Sequence, residues 1–158
     1  MTEITNIRLL SDAREAIPTL AQWYKDEWAN WFASTTLIDI EADLLLVAQC
    51  DSLPFAVVAL DAAAQPIGVC SIRDEPFDPY PDAGPWLRGL YVRPSHRGQG
   101  VAGEMIKFAS RHAKSIGVAK VYAATHSAIG TFERAGWLGF DQVMHEQQTL
   151  TIFAKRLG

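Results

Sequence analysis

Residues 90–103 read LYVRPSHRGQGVAG, and this stretch decides the fold. It predicts a strand, a tight loop rich in glycine and arginine, and then a helix. Pro94 ends the strand, because proline lacks the amide hydrogen that a strand ladder needs. From Val101 onwards, apolar residues recur at helical spacing. These apolar positions are Val101, Met105, Phe108, Ala109, Ala113 and Ile116.

The loop between this strand and this helix predicts an anion site. Gly98 and Gly100 allow a tight turn and bring backbone amides close to a ligand. The N-terminus of the helix adds unpaired amides and a partial positive charge, which suits phosphate. A glycine turn without any ligand is the simplest alternative, because short glycine motifs are weak signals.

Two known phosphate loops fit the stretch poorly. Gly98, Gly100 and Gly103 spell the G-x-G-x-x-G of dinucleotide-binding folds, but residues 93–97 separate these glycines from the strand. The next predicted strand, 119–125, also lacks the acidic residue that such folds place at its end. A Walker loop requires a Gly-Lys-Ser/Thr sequence, which the chain does not contain.

The segment 97–102, RGQGVA, resembles the Q/R-x-x-G-x-G/A signature of the GNAT N-acetyltransferases. Two neighbouring segments are similar to the same family. Residues 86–92 resemble its fourth strand, and residues 125–137 resemble the segment that follows its fifth strand. Because the order and spacing also match, the resemblance is strong over residues 86–140 and extends over nearly all of the chain.

The resemblance implies a single N-acetyltransferase domain over residues 1–158 with a mixed α/β fold, in which helices flank a mostly antiparallel sheet. In this acyl-CoA N-acyltransferase-like fold, strands four and five are parallel and splay apart. The expected order along the chain is β-α-α-β-β-β-α-β-α-β-β. The predicted strands lie at about 4–10, 55–60, 66–72, 85–92, 119–125, 138–145 and 148–155, and the helices at about 16–32, 37–50, 99–116 and 127–135.

In the GNAT family this loop holds the diphosphate of acetyl-coenzyme A, which is therefore the co-substrate that the resemblance implies. The pantetheine arm pairs with strand four, where Leu90 and Val92 are the expected main-chain partners. Arg97 is expected near the phosphates, although its side chain could instead tie down the loop. No metal site is expected. The remaining expected coenzyme contacts are Tyr91, Gly98, Gln99, Gly100, Val101, Ala102 and Thr125.

The two positions that carry acid–base residues in many family members hold Phe132 and Trp86 here. Neither side chain can exchange a proton in the reaction. Three catalytic candidates take their place: Tyr91 in strand four, His126 after strand five and Glu75 in an acidic loop. Each has a structural alternative, because Tyr91 could pack in the core, His126 could cap a helix, and Glu75 could merely attract a cation.

The missing acid–base pair leaves three explanations open. Other residues or water carry the proton, the coenzyme thiol departs without help, or the protein binds the coenzyme without catalysis. The first two describe an N-acetyltransferase that works by direct attack in a ternary complex, and the third describes an acyl-CoA sensor. A further alternative is a structural partner protein with an exposed interface at Trp23, Trp28 and Trp31, although most of this stripe is predicted to be core.

The charges around strand four indicate the kind of acceptor. Residues 74–82 hold four acids and no base, whereas residues 83–103 hold three arginines, His96 and no acid. Chance clustering on a solvated loop is the alternative. With the resemblance, this pattern predicts coenzyme phosphates beside a cationic amine, carried by a small molecule or a peptide. A homodimer is expected only from the general frequency of such assemblies.

Composition excludes several classes of protein. The chain has 158 residues, of which 49% are hydrophobic and 20% charged, so we expect one globular domain rather than a disordered chain. We expect no membrane span and no secretory signal, and the net charge of −4 argues against nucleic-acid binding. Cys50 and Cys70 lie in apolar sequence and are predicted to be buried free thiols in a cytoplasmic protein.

Overall fold

The computed structural model describes residues 6–29, 32–78 and 80–158. In these ranges, one seven-stranded sheet has the strand order β1-β2-β3-β4-β5-β7-β6. All neighbouring pairs are antiparallel except β4 and β5, as the resemblance predicted. The strands are β1 Asn6–Leu9, β2 Phe55–Leu60, β3 Pro66–Arg73, β4 Trp86–Val92, β5 Lys120–Thr125, β6 Leu138–His145 and β7 Gln148–Arg156, and the helices are α1 Ile17–Glu27, α2 Leu37–Leu46, α3 Val101–Ser115 and α4 Ile129–Arg134.

Helices cover both faces of the central strands, which explains why every residue of β2 is buried. Helices α1 and α2 pack on one face through residues such as Leu20 and Leu44. Helices α3 and α4 pack on the other face through residues such as Met105 and Phe132. We call these the α1/α2 face and the α3/α4 face. No helix in the described ranges is long and apolar enough to span a membrane.

Helix α3 packs closely on the sheet above Gly68 in β3. A Cβ atom at Gly68 would lie 2.7 Å from Cε of Met105 and 3.2 Å from Cγ1 of Val101. A larger residue here would therefore require the Met105 side chain to shift and would crowd Val101 in the first turn of α3. The contact positions the start of α3, which is the helix that follows the glycine loop.

The two N-terminal helices end earlier than their apolar patterns predict. Helix α1 ends at Glu27 rather than near residue 32, and Trp28 leaves the helical conformation with φ −113° and ψ 52°. Nζ of Lys25 donates to the carbonyls of Phe32 (3.3 Å) and Thr35 (2.6 Å), which stabilises the turn after the helix. Helix α2 is capped by Thr36, as expected, but ends at Leu46 rather than at residue 50.

Trp23 of α1 and Trp28, the residue after the helix, pack against the sheet instead of forming an exposed interface. Trp23 and Trp28 are half-buried, and their ring centroids lie 5.2 and 6.3 Å from that of Tyr91 in β4. Trp31 lies outside the described residues. The packing of Trp23 and Trp28 gives no support to a structural partner protein that docks through this stripe.

The two cysteines differ in exposure, and the prediction for Cys50 is wrong. Cys70 in β3 is fully buried, as expected, and burial raises the pKa of its thiol to about 12. Cys50 is exposed. The reason is that α2 ends at Leu46, so Cys50 falls in the following turn, where its carbonyl lies 2.5 Å from Nε2 of His112.

This difference predicts that the native protein shows a single reactive thiol. At pH 8 an aromatic disulfide reagent should modify Cys50 quickly, because it is exposed. Cys70 should react only after unfolding, because burial keeps it from the reagent and holds it as the unreactive thiol. The measurement is the thiol count before and after adding guanidinium, with Cys50→Ser as the control. Rapid modification of C50S in the native state would contradict the prediction.

Candidate active site

The parallel strands β4 and β5 separate soon after they meet. Their register pairs only Trp86 with Tyr122 and Leu87 with Ala123, and the Tyr122 amide donates to the Pro85 carbonyl at 2.9 Å. Beyond these pairs, each strand continues for several residues without the other. The result is a gap between the carboxyl ends of the two strands, as expected for splayed strands four and five.

A bulge in β4 accompanies the separation. The register between β3 and β4 shifts between Val69 and Ser71, and Gly89 on the opposing strand adopts φ +64°. The hydroxyl of Tyr24 in α1 donates to the Gly89 carbonyl at 2.9 Å. Burial raises the pKa of the Tyr24 phenol well above its usual value, so it remains protonated and keeps donating. Sequence reasoning missed this contact, which joins residues 65 positions apart.

The bulge predicts a destabilising effect for Gly89→Ala. A Cβ atom there would lie 2.7 Å from Oη of Tyr24, and the backbone lies in the left-handed region that disfavours alanine. We expect a loss of about 2–4 kcal/mol from strain and overpacking together. Urea unfolding measures it, and Tyr24→Phe is the control background. Because the hydroxyl is then gone, the cost of G89A should fall to about 1–2 kcal/mol. An equal cost in both backgrounds would contradict the contact.

The edge of β4 that faces the gap carries the predicted main-chain partners of a coenzyme. In an antiparallel pair, successive residues point their backbone groups alternately toward and away from the partner strand. The Arg93 amide donates to the Ile67 carbonyl of the β3 side at 2.9 Å. The groups of Val92 therefore point away from β3 and toward the gap. Leu90 lies in the bulge, where alternation is interrupted, so its pairing with a coenzyme remains a prediction.

The glycine loop closes one end of this gap. Gly98 and Gly100 adopt φ +76° and +84°, and a Cβ atom at either position would meet no atom within 4 Å. The space in front of these backbones is open, and α3 begins directly afterwards at Val101. The first amides of α3 lack partners within the helix and favour an anion. The loop therefore fits a phosphate group held by backbone amides.

Arg97 ties the loop to β4. Its Nε donates to the Val92 carbonyl at 2.8 Å, and its guanidinium carbon lies 5.3 Å from the centroid of the Tyr91 ring. This is the alternative role anticipated for this side chain. While Arg97 stays in this position, it occupies one acceptor site of the Val92 carbonyl, whereas the Val92 amide stays available to the gap.

The family model described as "Acetyltransferase (GNAT) family" matches residues 17–137. The chain belongs to the GNAT acetyltransferase family. Members of this family use acetyl-coenzyme A, which agrees with the open glycine loop at the end of the gap. No curated protein sequence matches the chain.

Solved structures share the GNAT fold over almost the whole chain. A ribosomal-protein-S5-alanine acetyltransferase from Vibrio fischeri is 15% identical, with a TM-score of 0.74 over 99% of this chain and 95% of that one. An aminoglycoside 6′-N-acetyltransferase complexed with coenzyme A is 12% identical, with a TM-score of 0.72 over 97% of both chains. Mutant forms of the spermidine/spermine N-acetyltransferase SpeG from Vibrio cholerae are 15% identical, with a TM-score of 0.71 over 96% of this chain and 94% of that one.

The two residues that depart from the GNAT acid–base pattern are both packing residues. Phe132 is 2% exposed, and its ring lies 5.0 Å from that of Trp137 and 5.4 Å from that of Phe153. Trp86 is 1% exposed and donates from Nε1 to the Ala83 carbonyl at 2.8 Å. Each aromatic ring therefore fills the protein interior at a position where the family often places a proton-transfer group.

The three catalytic candidates lie in different settings. Tyr91 is half-buried between Trp23 of α1 and the guanidinium of Arg97. His126 is exposed directly after β5. Glu75 is exposed and lies 3.6 Å from Nη1 of Arg73. No hydrogen bond or ion pair in the described part of the chain joins any two of these candidates, so they remain separate predictions.

Thr125, a predicted coenzyme contact, shapes the end of β5. Its Oγ1 accepts hydrogen bonds from the amides of Ser127 (3.3 Å) and Ala128 (3.0 Å). This side chain therefore organises the turn before α4, and neither Thr125 nor His126 caps the helix, whose N-cap residue Ala128 has no side-chain cap. A contact with the coenzyme remains a prediction for Thr125.

Arg88 holds the acidic loop 74–85 against β4, and sequence reasoning missed this role. Its Nη2 donates to the carbonyls of Glu75 (2.7 Å) and Pro76 (2.9 Å). Burial lowers the pKa of the Arg88 guanidinium. The sequence signal that could have indicated this role was the position of Arg88 within an otherwise apolar strand, directly before Gly89.

Proposed function

We propose that this GNAT protein is an acetyl-coenzyme A-dependent N-acetyltransferase that acts on a primary amine of a small molecule or a peptide. The observation that carries the proposal is the gap between β4 and β5, with the open backbone of Gly98 and Gly100 at its end. We further propose that residues 1–158 form one N-acetyltransferase domain and that the protein is cytoplasmic and forms a homodimer.

The coenzyme would lie along the β4 edge, with Leu90 and Val92 pairing with its pantetheine arm. The loop from Gly98 to Ala102 would cradle the diphosphate, with Gln99 and Val101 contributing main-chain groups. Tyr91, Arg97 and Thr125 would border it. In this arrangement the thioester lies near the bulge, where a β4 amide could stabilise the oxyanion that forms during attack.

Direct attack by the amine in a ternary complex fits the placement of the cysteines. Cys70 is fully buried, with a raised thiol pKa, so it is unsuited to act as a nucleophile. Cys50 lies in the turn after α2 and contacts His112 of α3, away from the β4–β5 gap. The amine nitrogen would therefore attack the thioester carbonyl itself, break its bond to sulfur and lose one proton as the thiol gains one.

The acceptor is proposed to be cationic, because acids gather at the loop beside β4. Asp74, Glu75 and Asp78 are exposed in the loop that Arg88 holds in place. These carboxylates attract an ammonium group but select no particular amine. Polyamines, aminoglycoside-like compounds and peptide N-termini are all consistent with this charge. Proton transfer is assigned to water or to one of Tyr91, His126 and Glu75.

The second candidate function is a non-catalytic acyl-CoA sensor. It is favoured by the burial of Phe132 and Trp86, which cannot exchange protons in the reaction. A sensor would use the same gap and loop, so coenzyme binding alone does not separate the two functions. Turnover does.

The test is release of free coenzyme thiol from acetyl-coenzyme A in the presence of a polyamine, an aminoglycoside and a peptide with a free N-terminus. We expect release with one of these amine classes and none with the same compounds already acetylated. Mass spectrometry should show one added acetyl group per reacting amine. Tight coenzyme binding without release on any amine would support the sensor instead.

A further inference from the structure

A groove of about 590 Å³ crosses the outer strands on the α1/α2 face of the sheet. Its floor includes Tyr122 of β5, Ala154 of β7 and Leu138 of β6, which are neighbours in the strand register. Their strand neighbours Val121 and Phe153 point to the opposite face and pack under α3. The volume lies within the range of about 300–1,000 Å³ that is typical of small-molecule sites.

The lining of the groove is largely apolar and exposed. Tyr80 from the acidic loop and Phe140 from β6 form a wall, with ring centroids 6.1 Å apart. The Tyr80 hydroxyl donates to the Asp141 carboxylate, which holds this wall to β6. Leu138 is 71% exposed and Phe140 is 48% exposed. These side chains form a concave apolar surface on strands that no helix of the described ranges covers on this face.

Two cations lie at one end of the groove, Lys120 of β5 and Arg156 of β7, which are partners in the strand register. Nζ of Lys120 lies 5.0 Å from the centroid of the Tyr122 ring, so the ammonium lies over the floor of the groove. Lys155 borders the groove, but it pairs with Val121 and so points to the α3/α4 face, where its Nζ lies 3.5 Å from the Gly136 carbonyl. Among the described residues, no carboxylate lies within ion-pair distance of these cations, and none lines the groove. Positive charge is therefore concentrated at this end of the groove, whereas the Asp141 carboxylate lies at the Tyr80 wall.

We propose that this groove binds a small, flat, amphipathic anion, namely an aromatic carboxylate. The ring would lie on the apolar floor formed by Tyr122, Ala154 and Leu138, and the carboxylate would bind Lys120 and Arg156. The groove lies toward the amino end of β5, on the opposite side of the Trp86–Tyr122 pair from the β4–β5 gap. It is thus separate from the proposed coenzyme site, and the proposal does not depend on the proposed function.

The test is calorimetric titration of the whole protein with 2-naphthoate and with the uncharged isostere 2-naphthamide. We expect the anion to bind at least tenfold more tightly than the amide. Lys120→Gln and Arg156→Gln should each weaken 2-naphthoate binding by about tenfold, because each removes a charge-assisted hydrogen bond. Lys114→Gln is the matched control, since this exposed lysine lies on α3, on the other face, and should leave the affinity unchanged.

Several outcomes would overturn the proposal. The protein could bind 2-naphthoate and 2-naphthamide with equal affinity. K114Q and K120Q could weaken 2-naphthoate binding equally, or the protein could fail to bind 2-naphthoate up to the solubility limit of the probe. Sedimentation of the same variants tests a second copy of the chain as the occupant. Self-association that K120Q and R156Q abolish, without binding of 2-naphthoate, would assign the groove to that interface instead.

Acetyl-coenzyme A affinity, measured in the same groove variants, separates this proposal from the proposed function. We expect it to be unchanged in K120Q and R156Q, which also shows that the variants are folded. If K120Q and R156Q also lost coenzyme affinity, the groove would belong to the coenzyme site, and the proposal of a separate site would be wrong. If the wild-type protein binds 2-naphthoate as expected but no coenzyme, the proposed function fails and the groove stands.

Discussion

Replacing Gly100 with tryptophan is expected to lower the affinity for acetyl-coenzyme A by about a hundredfold or more. Gly100 faces open space and precedes the first amides of α3, so an indole there would occupy the position proposed for the diphosphate. The diphosphate would lose several charge-assisted hydrogen bonds, each worth about 1.5–3 kcal/mol. Calorimetric titration measures the affinity of the variant against that of the wild type.

Gly117→Trp is the matched control for this prediction. Gly117 follows the other end of α3, and its φ of +94° is close to the +84° of Gly100. A Cβ atom at Gly117 also meets nothing within 4 Å, so both variants carry similar backbone strain. Only G100W should lose coenzyme affinity. An equal loss in both variants, or in neither, would refute the phosphate-loop assignment.

Trp86→Ala is expected to destabilise the protein by about 3–5 kcal/mol, the typical cost of removing a large buried aromatic side chain. The Trp86 ring is 1% exposed and lies 4.9 Å from the ring of Phe77 and 5.2 Å from that of Tyr122. It thus packs the acidic loop onto the place where β4 and β5 still pair. Urea unfolding monitored by circular dichroism measures the change.

Phe140→Ala is the control for the loss of Trp86. Phe140 belongs to the same aromatic group, with its ring 6.3 Å from that of Tyr122, but it is 48% exposed. Its removal should cost about 1 kcal/mol or less, because little of its contact area is lost from the interior. If W86A cost no more than F140A, the buried packing role of Trp86 would be wrong.

The sequence predicted the strands better than the helices, for a physical reason. Strands β2 and β6 have the predicted bounds, because proline, glycine and polar residues flank their β-prone runs. Helix α1 continues its apolar pattern beyond Glu27, but contacts made by Lys25 with Phe32 and Thr35 hold the chain in a turn. Such contacts override the helical spacing of apolar residues, and that spacing alone does not reveal them.

The conformation of the glycine loop could be predicted because the residues that form it are close together in the sequence. A proline that ends a strand, two glycines and the start of a helix lie within one short segment, and the structure places them in that order, with a 3-10 turn at Pro94–His96 before the glycines and α3. Contacts between distant segments could not be predicted in this way. Tyr24 reaches Gly89, and Arg88 reaches Glu75, through packing that no spacing in the sequence encodes.

The acceptor side of the site was predicted only as a charge pattern. The acids before residue 83 indicate a bound cation, and the arginines after it indicate a bound anion. These charges do not say which amine fits. The missing acid–base residues were visible as Phe132 and Trp86, but their burial was not. Exposure depends on which elements cover a position, and that follows from the whole fold.

The most direct test of the account is hydrogen–deuterium exchange of β4 and the glycine loop, with and without acetyl-coenzyme A. If the coenzyme lies along the β4 edge, amides of residues 90–92 and 98–102 should exchange more slowly when it is bound. Peptides from β6 should be unchanged. Slowed exchange confined to other parts of the chain, or no change at saturating coenzyme, would contradict the placement of the coenzyme in the β4–β5 gap.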